Sequence, residues 1–292
     1  MPDFHELPKL RDSLSYLYVE HAIIDRKQNA IEYIQQDGRV MVPVATLCLL
    51  MLGPGTSISH AAVRILADNG CTILWTGEDV ASCYAFGMGE THKAWHVLRQ
   101  AELFCDPARH EKVVKNMYRY RFDEIKEDIT LQQMRGMEGA RVKQMYAQAS
   151  SQYGVRWIGR NYNRGDWKDA DPINRALSAA NAVMNGICHA AITSGGYSAA
   201  LGFIHTGRQL SFVYDIADLY KVEISIPAAF QVAAESPVNV EQRARATCRE
   251  RIRETHLLQR ILPDIDSLLE IDAPSEDTLG EDPASELWEE LY

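Results

Sequence analysis

The sequence lacks several features that define large classes of proteins. No apolar run approaches the roughly 18 residues of a membrane-spanning helix, which argues against an integral membrane protein. Its six cysteines include no Cys-X-X-Cys pair, and no glycine-rich phosphate-binding loop is present. The first 13 residues have no apolar signal-peptide core. We therefore expect a cytoplasmic protein whose cysteines are reduced and buried.

The C-terminal stretch contains no Lys or Arg. Of the 40 acidic residues, 11 fall within residues 261–292, which leaves 29 acidic against 30 basic residues in the first 260 positions. The formal net charge of −10 thus comes from the end of the chain. A nearly neutral body can still bind nucleic acid if its arginines gather on one face. Three prolines and the acidic bias predict a mostly disordered tail over 263–292.

The hydrophobic periodicity changes once along the chain. Residues 14–51 and the short runs CTILW and CYAFG alternate as strands do, with a short helix between them that Ser57 or Ser59 caps. The strand spacing favours a meander or a small sandwich. From about Thr91 the apolar residues recur every three or four positions. The sequence therefore predicts an α+β fold, with a small, mostly β N-terminal domain (1–90) before a larger, all-helical domain (91–262).

Two segments inside the predicted helical domain carry functional candidates. A helix of small residues is expected from Ile173 to Ser194, and a basic helix from Val240 to Leu262. On the basic helix, Arg245 and Arg249 share a face because they are four residues apart. Such a row of guanidiniums either follows the phosphates of a nucleic acid or forms salt bridges with the interspersed glutamates.

Four ionisable side chains lie in partly apolar helical segments: Glu138, His205, Asp215 and Asp218. A charge among apolar residues is costly unless it is paired or bound to a metal. Asp215 and Asp218 share a helix face, and the HisThrGly turn can fold His205 back towards it. One imidazole and several carboxylates suit a hard divalent ion such as Mg²⁺ or Mn²⁺.

The same four residues also have a purely structural interpretation. Asp215 can be the N-cap of a helix that begins near Ile216, a role that Asp favours. His205 can be a hydrogen-bonded core histidine, and Glu138 an ordinary surface residue. Nothing in the spacing forces Glu138 to meet the others.

Several longer segments carry a family resemblance. RGMEGARV, GRNYNRGDW and GFIHTGRQLSFVYDIADL occur in this order, after LGPGTSISHAAVRILADNG near the N-terminus. They resemble CRISPR-associated protein 1, the integrase of CRISPR adaptation, and most of all the type I-E subtype that works with Cascade. The likeness runs from about Leu14 to about Leu262. It implies a metal-dependent DNA endonuclease and integrase that inserts foreign DNA fragments into a CRISPR array by transesterification from a 3′-hydroxyl group.

The resemblance also implies roles for individual residues. Glu138, His205 and Asp218 would hold Mg²⁺ or Mn²⁺, and Asp215 would be a further catalytic acid. The residues implied to bind DNA are His21, Arg135, Tyr162, Trp167, Arg208, Arg245 and Arg249. The sequence departs from the family in three places. Arg208 stands where relatives usually have Lys, His21 where they commonly have the Tyr that caps the duplex, and Ser82 near a usual Arg.

Partners follow from the resemblance as well. It implies a homodimer, formed through the β-rich domain, that binds double-stranded or branched DNA and joins a dimer of CRISPR-associated protein 2. The acidic tail ends in SELWEELY, which either contacts that partner or only keeps the chain solvated. Two other functions stay open. One is a helical metal-dependent phosphohydrolase on a small substrate, and the other is a non-catalytic DNA-architectural subunit whose acids only cap helices.

Overall fold

A computed structural model describes residues 15–35, 38–77, 83–87, 94–122, 129–160 and 171–271. Its N-terminal part contains eight strands within these ranges, a single 3₁₀ turn (Val44–Thr46) and one short α-helix, α1 (His60–Asp68). The strands are β1 (Ser15–Val19), β2 (Ile23–Lys27), β3 (Ala30–Gln35), β4 (Gly38–Pro43), β5 (Leu47–Leu52), β6 (Ser57–Ile58), β7 (Thr72–Thr76) and β8 (Cys83–Gly87). Of the two candidate caps, Ser59 is the N-cap of α1, and its hydroxyl oxygen accepts a hydrogen bond from the Ala62 N–H at 3.2 Å.

The strands form two four-stranded sheets. One has the order β4-β3-β2-β6, in which β2, β3 and β4 make the antiparallel meander that the sequence predicts. The other has the order β1-β5-β7-β8, and its strand β5 lies parallel to both β1 and β7. A parallel pair needs a crossover connection, and α1 provides it between β5 and β7. The local alternation of the sequence does not reveal this parallel order.

Eight further helices follow in the described residues. They are α2 (Trp95–Cys105), α3 (Pro107–Arg121), α4 (Leu131–Tyr153), α5 (Pro172–Ser194), α6 (Ser211–Tyr220), α7 (Ser225–Glu235), α8 (Val240–Glu254) and α9 (Leu257–Leu269). The α+β fold class is therefore confirmed. None of the described helices combines the length and the apolar character needed to cross a bilayer.

The small-residue helix α5 is the centre of the core. It is buried along most of its length and packs against α6, α7, α8 and α9, as well as β5 and β7. Gly186 allows the approach to the sheet, because a Cβ there would lie only 2.8 Å from Met51 Sδ. Leu49, Met51 and Leu74 of the β1-β5-β7-β8 sheet consequently belong to the same apolar cluster as the helices.

The prediction of one helix over Val240–Leu262 is wrong. The structure ends α8 at Glu254, turns at His256 with φ of 50°, and begins α9 at Leu257. The α9 helix runs to Leu269, so the predicted tail does not start at residue 263.

A buried apolar stripe on α9 explains the error. Ile265, Leu268 and Leu269 are buried, and Asp266 accepts a hydrogen bond from the Tyr197 hydroxyl at 2.5 Å. This burial outweighs the proline and acidic bias from which disorder is predicted. The rest of the tail, 272–292, lies outside the described residues, where disorder stays a prediction.

The expectation of buried cysteines also needs one correction. Among the described thiols, those of Cys71, Cys188 and Cys248 are buried, but Cys105 is exposed at the end of α2.

Candidate active site

Asp215 anchors the turn that precedes its own helix. Because α6 begins at Ser211, Asp215 lies inside the helix, and its interpretation as an N-cap is wrong. Its carboxylate is fully buried. Oδ2 accepts the N–H groups of Phe203 and Ile204 at 2.6 and 3.1 Å, and Oδ1 accepts the N–H of His205 at 2.9 Å. Three consecutive backbone donors are thus fixed by one side chain.

Two glycines let this turn form. A Cβ at Gly202 would lie 2.4 Å from the His205 carbonyl oxygen and 2.6 Å from the carbonyl carbon of Ser211. Only glycine fits there, since both neighbours are backbone atoms. Gly207 adopts a φ of +81°, a conformation that residues with a Cβ rarely adopt. The two glycines of the segment GlyPheIleHisThrGly therefore allow the turn that positions the His205 imidazole.

His205 faces two carboxylates. Its Nδ1 lies 2.8 Å from Asp215 Oδ1, and its Nε2 lies 4.0 Å from Asp218 Oδ2. When Nδ1–H donates to Asp215, the Nε2 lone pair is left for a metal, which is the arrangement commonly found behind metal-bound histidines. The hydrogen bond to Asp215 raises the pKa of His205 above its ordinary value, against desolvation, which lowers it.

Asp218 is more accessible than Asp215: its side chain is 28% exposed, whereas Asp215 is fully buried. It lies one turn after Asp215 on α6 and is paired with the ammonium group of Lys221, the residue that directly follows this helix. The spacing of three residues places both side chains on one helix face.

Glu138 reaches the site from another helix, α4. Its Oε1 accepts hydrogen bonds from Arg121 Nη1 at 3.2 Å and from Arg141 Nη1 at 3.4 Å. The other terminal nitrogen of Arg121, Nη2, donates to the carbonyl oxygen of Asp215 at 3.3 Å. Glu138 Oε2 is buried and has no hydrogen-bond partner among the described residues. A single guanidinium thus joins Glu138 to the helix that carries the two aspartates.

The predicted ligands are only partly assembled. Within the described part of the chain, no three His, Cys, Asp or Glu side chains lie close enough together to form a ready metal-ligand group. His205 and Asp218 face each other, whereas Glu138 is connected to them through Arg121.

These donor atoms nevertheless fit Mg²⁺ or Mn²⁺. Metal–ligand bonds in such sites are about 2.1 Å long, so the 4.0 Å between His205 Nε2 and Asp218 Oδ2 would leave room for both atoms to bind one ion. The unpartnered Oε2 of Glu138 is an acceptor that a cation would satisfy. An imidazole with carboxylate oxygens is also the type of ligand set that these ions accept.

The predicted DNA-binding arginines occupy different settings. Arg208 is exposed in the loop before α6, where its backbone N–H donates to Ser211 Oγ at 3.0 Å. Arg135 is exposed on α4, one turn before Glu138. The Arg245 guanidinium lies over the Tyr18 ring, 4.6 Å from its centroid, while Arg249, one turn further along α8, is exposed. Their roles in DNA binding stay predictions.

His21 stands apart, in the turn between β1 and β2. It is exposed and has a φ of 51°, and its backbone N–H donates to the Pro54 carbonyl at 2.9 Å. Its ring lies against Gly55, where a Cβ would be 2.4 Å from His21 Nδ1. Tyr162, Trp167 and Ser82 lie outside the described residues.

The sequence interpretation missed three basic residues of the site. Arg141, inside α4, and Lys221, directly after α6, each follow an acid by three positions, and this spacing could have revealed them. Arg121 offers no such signal, because its partners are 17 and 94 residues away along the chain.

Comparison with known proteins shows which family this chain is similar to. A profile described as CRISPR associated protein Cas1 matches residues 109–242. The CRISPR-associated endonuclease Cas1 2 of Thermus thermophilus is 53% identical over 281 residues, which cover 95% of this chain and 86% of that protein. The CRISPR-associated endonuclease Cas1 of Escherichia coli is 39% identical over 262 residues, covering 89% of this chain and 86% of that one.

Two solved structures share the fold. The crystal structure of TtCas1 has a TM-score of 0.81 and 51% identity, and the match covers 90% of this chain and all of that one. The crystal structure of a TtCas1-DNA complex has a TM-score of 0.67 and 53% identity, and the match covers 91% of this chain and all of that one.

Proposed function

The chain belongs to the Cas1 family of CRISPR-associated endonucleases, and from this premise we propose that it inserts foreign DNA fragments into a CRISPR array. The reaction is a transesterification, in which the 3′-hydroxyl of the fragment attacks a phosphodiester at the edge of a repeat. The segments that resemble type I-E relatives support that subtype, and a reaction on chromosomal DNA supports a cytoplasmic location.

One observation carries the proposal. The His205 Nε2 and the Asp218 carboxylate face each other across 4.0 Å, while the buried Asp215 holds the opposite nitrogen of the imidazole. A structural histidine would have both of its ring nitrogens satisfied. Here one nitrogen is fixed and the other is aimed at a second carboxylate, as a metal ligand requires.

Each residue has a defined role in this proposal. Glu138, His205 and Asp218 hold Mg²⁺ or Mn²⁺, which would make the attacking hydroxyl more nucleophilic and neutralise charge on the phosphoryl group. Asp215 fixes the imidazole in the tautomer with the proton on Nδ1. The exposed Arg208, three residues after His205, adds positive charge beside the reacting phosphate. The exchange breaks one phosphodiester and forms another, so it needs no ATP.

The DNA would contact basic and aromatic residues from several segments of the chain. We assign phosphate or base contacts to His21, Arg135, Tyr162, Trp167, Arg208, Arg245 and Arg249. The solved complex of a relative with DNA supports DNA as the ligand class. A homodimer joined to a dimer of CRISPR-associated protein 2 would place two such sites at the two ends of one duplex.

The activity test compares wild type with Asp218→Ala and His205→Ala on branched DNA in Mg²⁺ or Mn²⁺. We expect cleavage and strand joining by the wild type only, with DNA binding retained in both variants. Asp68→Ala is a matched control, because it removes an exposed carboxylate from α1. Full activity in both site variants contradicts the proposal. Binding of DNA without chemistry by the wild type favours the architectural alternative, and hydrolysis of small phosphoesters alone favours the phosphohydrolase.

The tail needs its own experiment. We assign residues 274–292 to contact with CRISPR-associated protein 2, because their acidic and aromatic character suits a partner groove. Deletion of these residues should weaken assembly in size-exclusion chromatography. Unchanged assembly removes the tail from the interface.

A further inference from the structure

Glu138 has to be brought to a site that other elements build. It lies on α4, whereas His205 and Asp218 belong to α6 and the turn before it. The α4 helix packs mainly against α7. Because α4 and α6 share few direct contacts, a side chain that bridges them helps to set the distance between Glu138 and α6.

Arg121 is placed to set that distance. It is the last residue of α3, and its side chain is only 3% exposed. One terminal nitrogen contacts Glu138 Oε1 at 3.2 Å, and the other donates to the Asp215 carbonyl at 3.3 Å. The rigid planar fork of a guanidinium can hold two acceptors at a fixed separation, which the single ammonium of Lys cannot do.

The contact also decides which oxygen of Glu138 is available. Arg121 occupies Oε1, and Oε2 stays buried and unpartnered among the described residues. Arg141 contacts the same Oε1 at 3.4 Å but comes from α4 itself, three residues after Glu138. It cannot fix α4 relative to α6, and this makes it a matched control.

We infer that Arg121 is a positioning residue, which ties Glu138 to α6 and presents Glu138 Oε2 to the divalent ion. The inference rests on the proposed function, in which Glu138 is a metal ligand. It differs from a purely electrostatic role, because a cation beside a metal ligand repels the metal. Removal of a positioning residue weakens metal binding, whereas removal of a competing cation strengthens it.

The test measures Mn²⁺ binding to the full-length, DNA-free protein by the electron paramagnetic resonance signal of free Mn²⁺. Partners that orient metal ligands typically contribute about tenfold or more to metal affinity. We therefore expect Arg121→Met to weaken Mn²⁺ binding at least tenfold and Arg121→Lys to recover little of the loss. Arg141→Met should change the affinity much less. In a protein that already carries Glu138→Gln, adding Arg121→Met should not weaken Mn²⁺ binding further.

The outcomes separate the inference from the function. Unchanged or tighter Mn²⁺ binding by a folded Arg121→Met protein overturns the inference, as does a loss that adds to that of Glu138→Gln. Wild-type Mn²⁺ binding by Glu138→Gln instead refutes the ligand role of Glu138 and the inference with it. Circular dichroism checks folding, and if Arg121→Met does not fold, the comparison of Arg121→Lys with Arg141→Lys takes its place. Equal Mn²⁺ affinities of those two variants overturn the inference.

Discussion

Replacing Asp215 by Asn is the most informative single change in this site. The side chain keeps its size but loses its charge, and one oxygen becomes an NH₂ donor. If that NH₂ takes the place of Oδ2, it meets the N–H groups of Phe203 and Ile204, which are donors too. If it takes the place of Oδ1, it meets the N–H of His205. Neither orientation satisfies the turn.

The expected loss of stability is large. Hydrogen bonds to charged groups contribute about 1.5–3 kcal/mol each, and two of them are lost at Oδ2 in the first orientation. We therefore expect the free energy of unfolding to fall by about 3–6 kcal/mol, a large share of the roughly 5–15 kcal/mol of a typical protein. At about 2–4 °C per kcal/mol, a loss of about 3 kcal/mol lowers Tm by about 6–12 °C.

The pKa of His205 provides a second readout. Its hydrogen bond to Asp215 is the largest cause of the raised pKa, and desolvation opposes it. In Asp215→Asn we expect the pKa of His205 to drop towards or below its ordinary 6.5. The raised pKa stabilises wild type below pH 6.5, and this contribution is lost as the pH rises through the folded-state value. The free energy of unfolding of wild type should therefore exceed that of Asp215→Asn by more at pH 6 than at pH 9.

Denaturant unfolding and an NMR titration of the His205 ring measure both effects. Asp218→Asn is the control, since its carboxylate is partly exposed and accepts no backbone hydrogen bond from the turn. It should change stability little while weakening metal binding. The reasoning is refuted if Asp215→Asn unfolds like wild type and leaves the pKa of His205 unchanged.

Three further predictions follow from single contacts. Burial lowers the pKa of His189 to about 4, so the folded state loses stability relative to the unfolded state as the pH drops below 6.5. His189→Gln should therefore reduce the difference in unfolding free energy between pH 7 and pH 5 by about 2 kcal/mol. An unchanged difference in urea unfolding contradicts this. Gly202→Ala should unfold the turn or the protein, because its Cβ would meet the His205 carbonyl oxygen. Gly136→Ala, in the second turn of α4 with open space around the new Cβ, should instead stabilise the protein by about 0.5–1 kcal/mol. Thermal melts compare the two variants, and equal Tm values argue against the clash. Mn²⁺ at about 100 times its Kd should stabilise wild type by about 2.7 kcal/mol, and chelation or Asp218→Asn should abolish the gain, so an equal gain in that variant removes Asp218 from the ligands.

Local sequence patterns predicted the elements well where the structure itself is local. The change from alternating to helical periodicity near Thr91 falls between the end of β8 at Gly87 and the start of α2 at Trp95. The helix expected from Ile173 begins at Pro172. The parallel order of β1, β5 and β7 was not predictable in this way, because strand partners come from distant segments. The break at His256 was missed as well, since a left-handed histidine leaves no pattern in composition.

In the candidate site, too, local features were predictable and contacts between distant segments were not. The shared face of Asp215 and Asp218 follows from their spacing, and the glycines around His205 indicate a tight turn. The burial of Asp215 against three N–H groups upstream of its own helix does not follow, because capping residues usually precede the donors that they satisfy. Arg121 lies beyond any spacing argument, since only the folded chain brings α3, α4 and α6 together.

The charges of the site are already balanced before an ion binds. With His205 neutral, three nearby cations match the three carboxylates of the site: Arg121 and Arg141 contact Glu138, and Lys221 contacts Asp218. A divalent ion that enters this balanced set adds two positive charges that the protein does not neutralise. The phosphates of DNA are the natural counter-charge, so metal and DNA should each strengthen the binding of the other, and by linkage the two effects must be equal. Titration of Mn²⁺ with and without branched DNA measures this coupling, and identical Mn²⁺ affinities would show that the local charge is compensated in some other way.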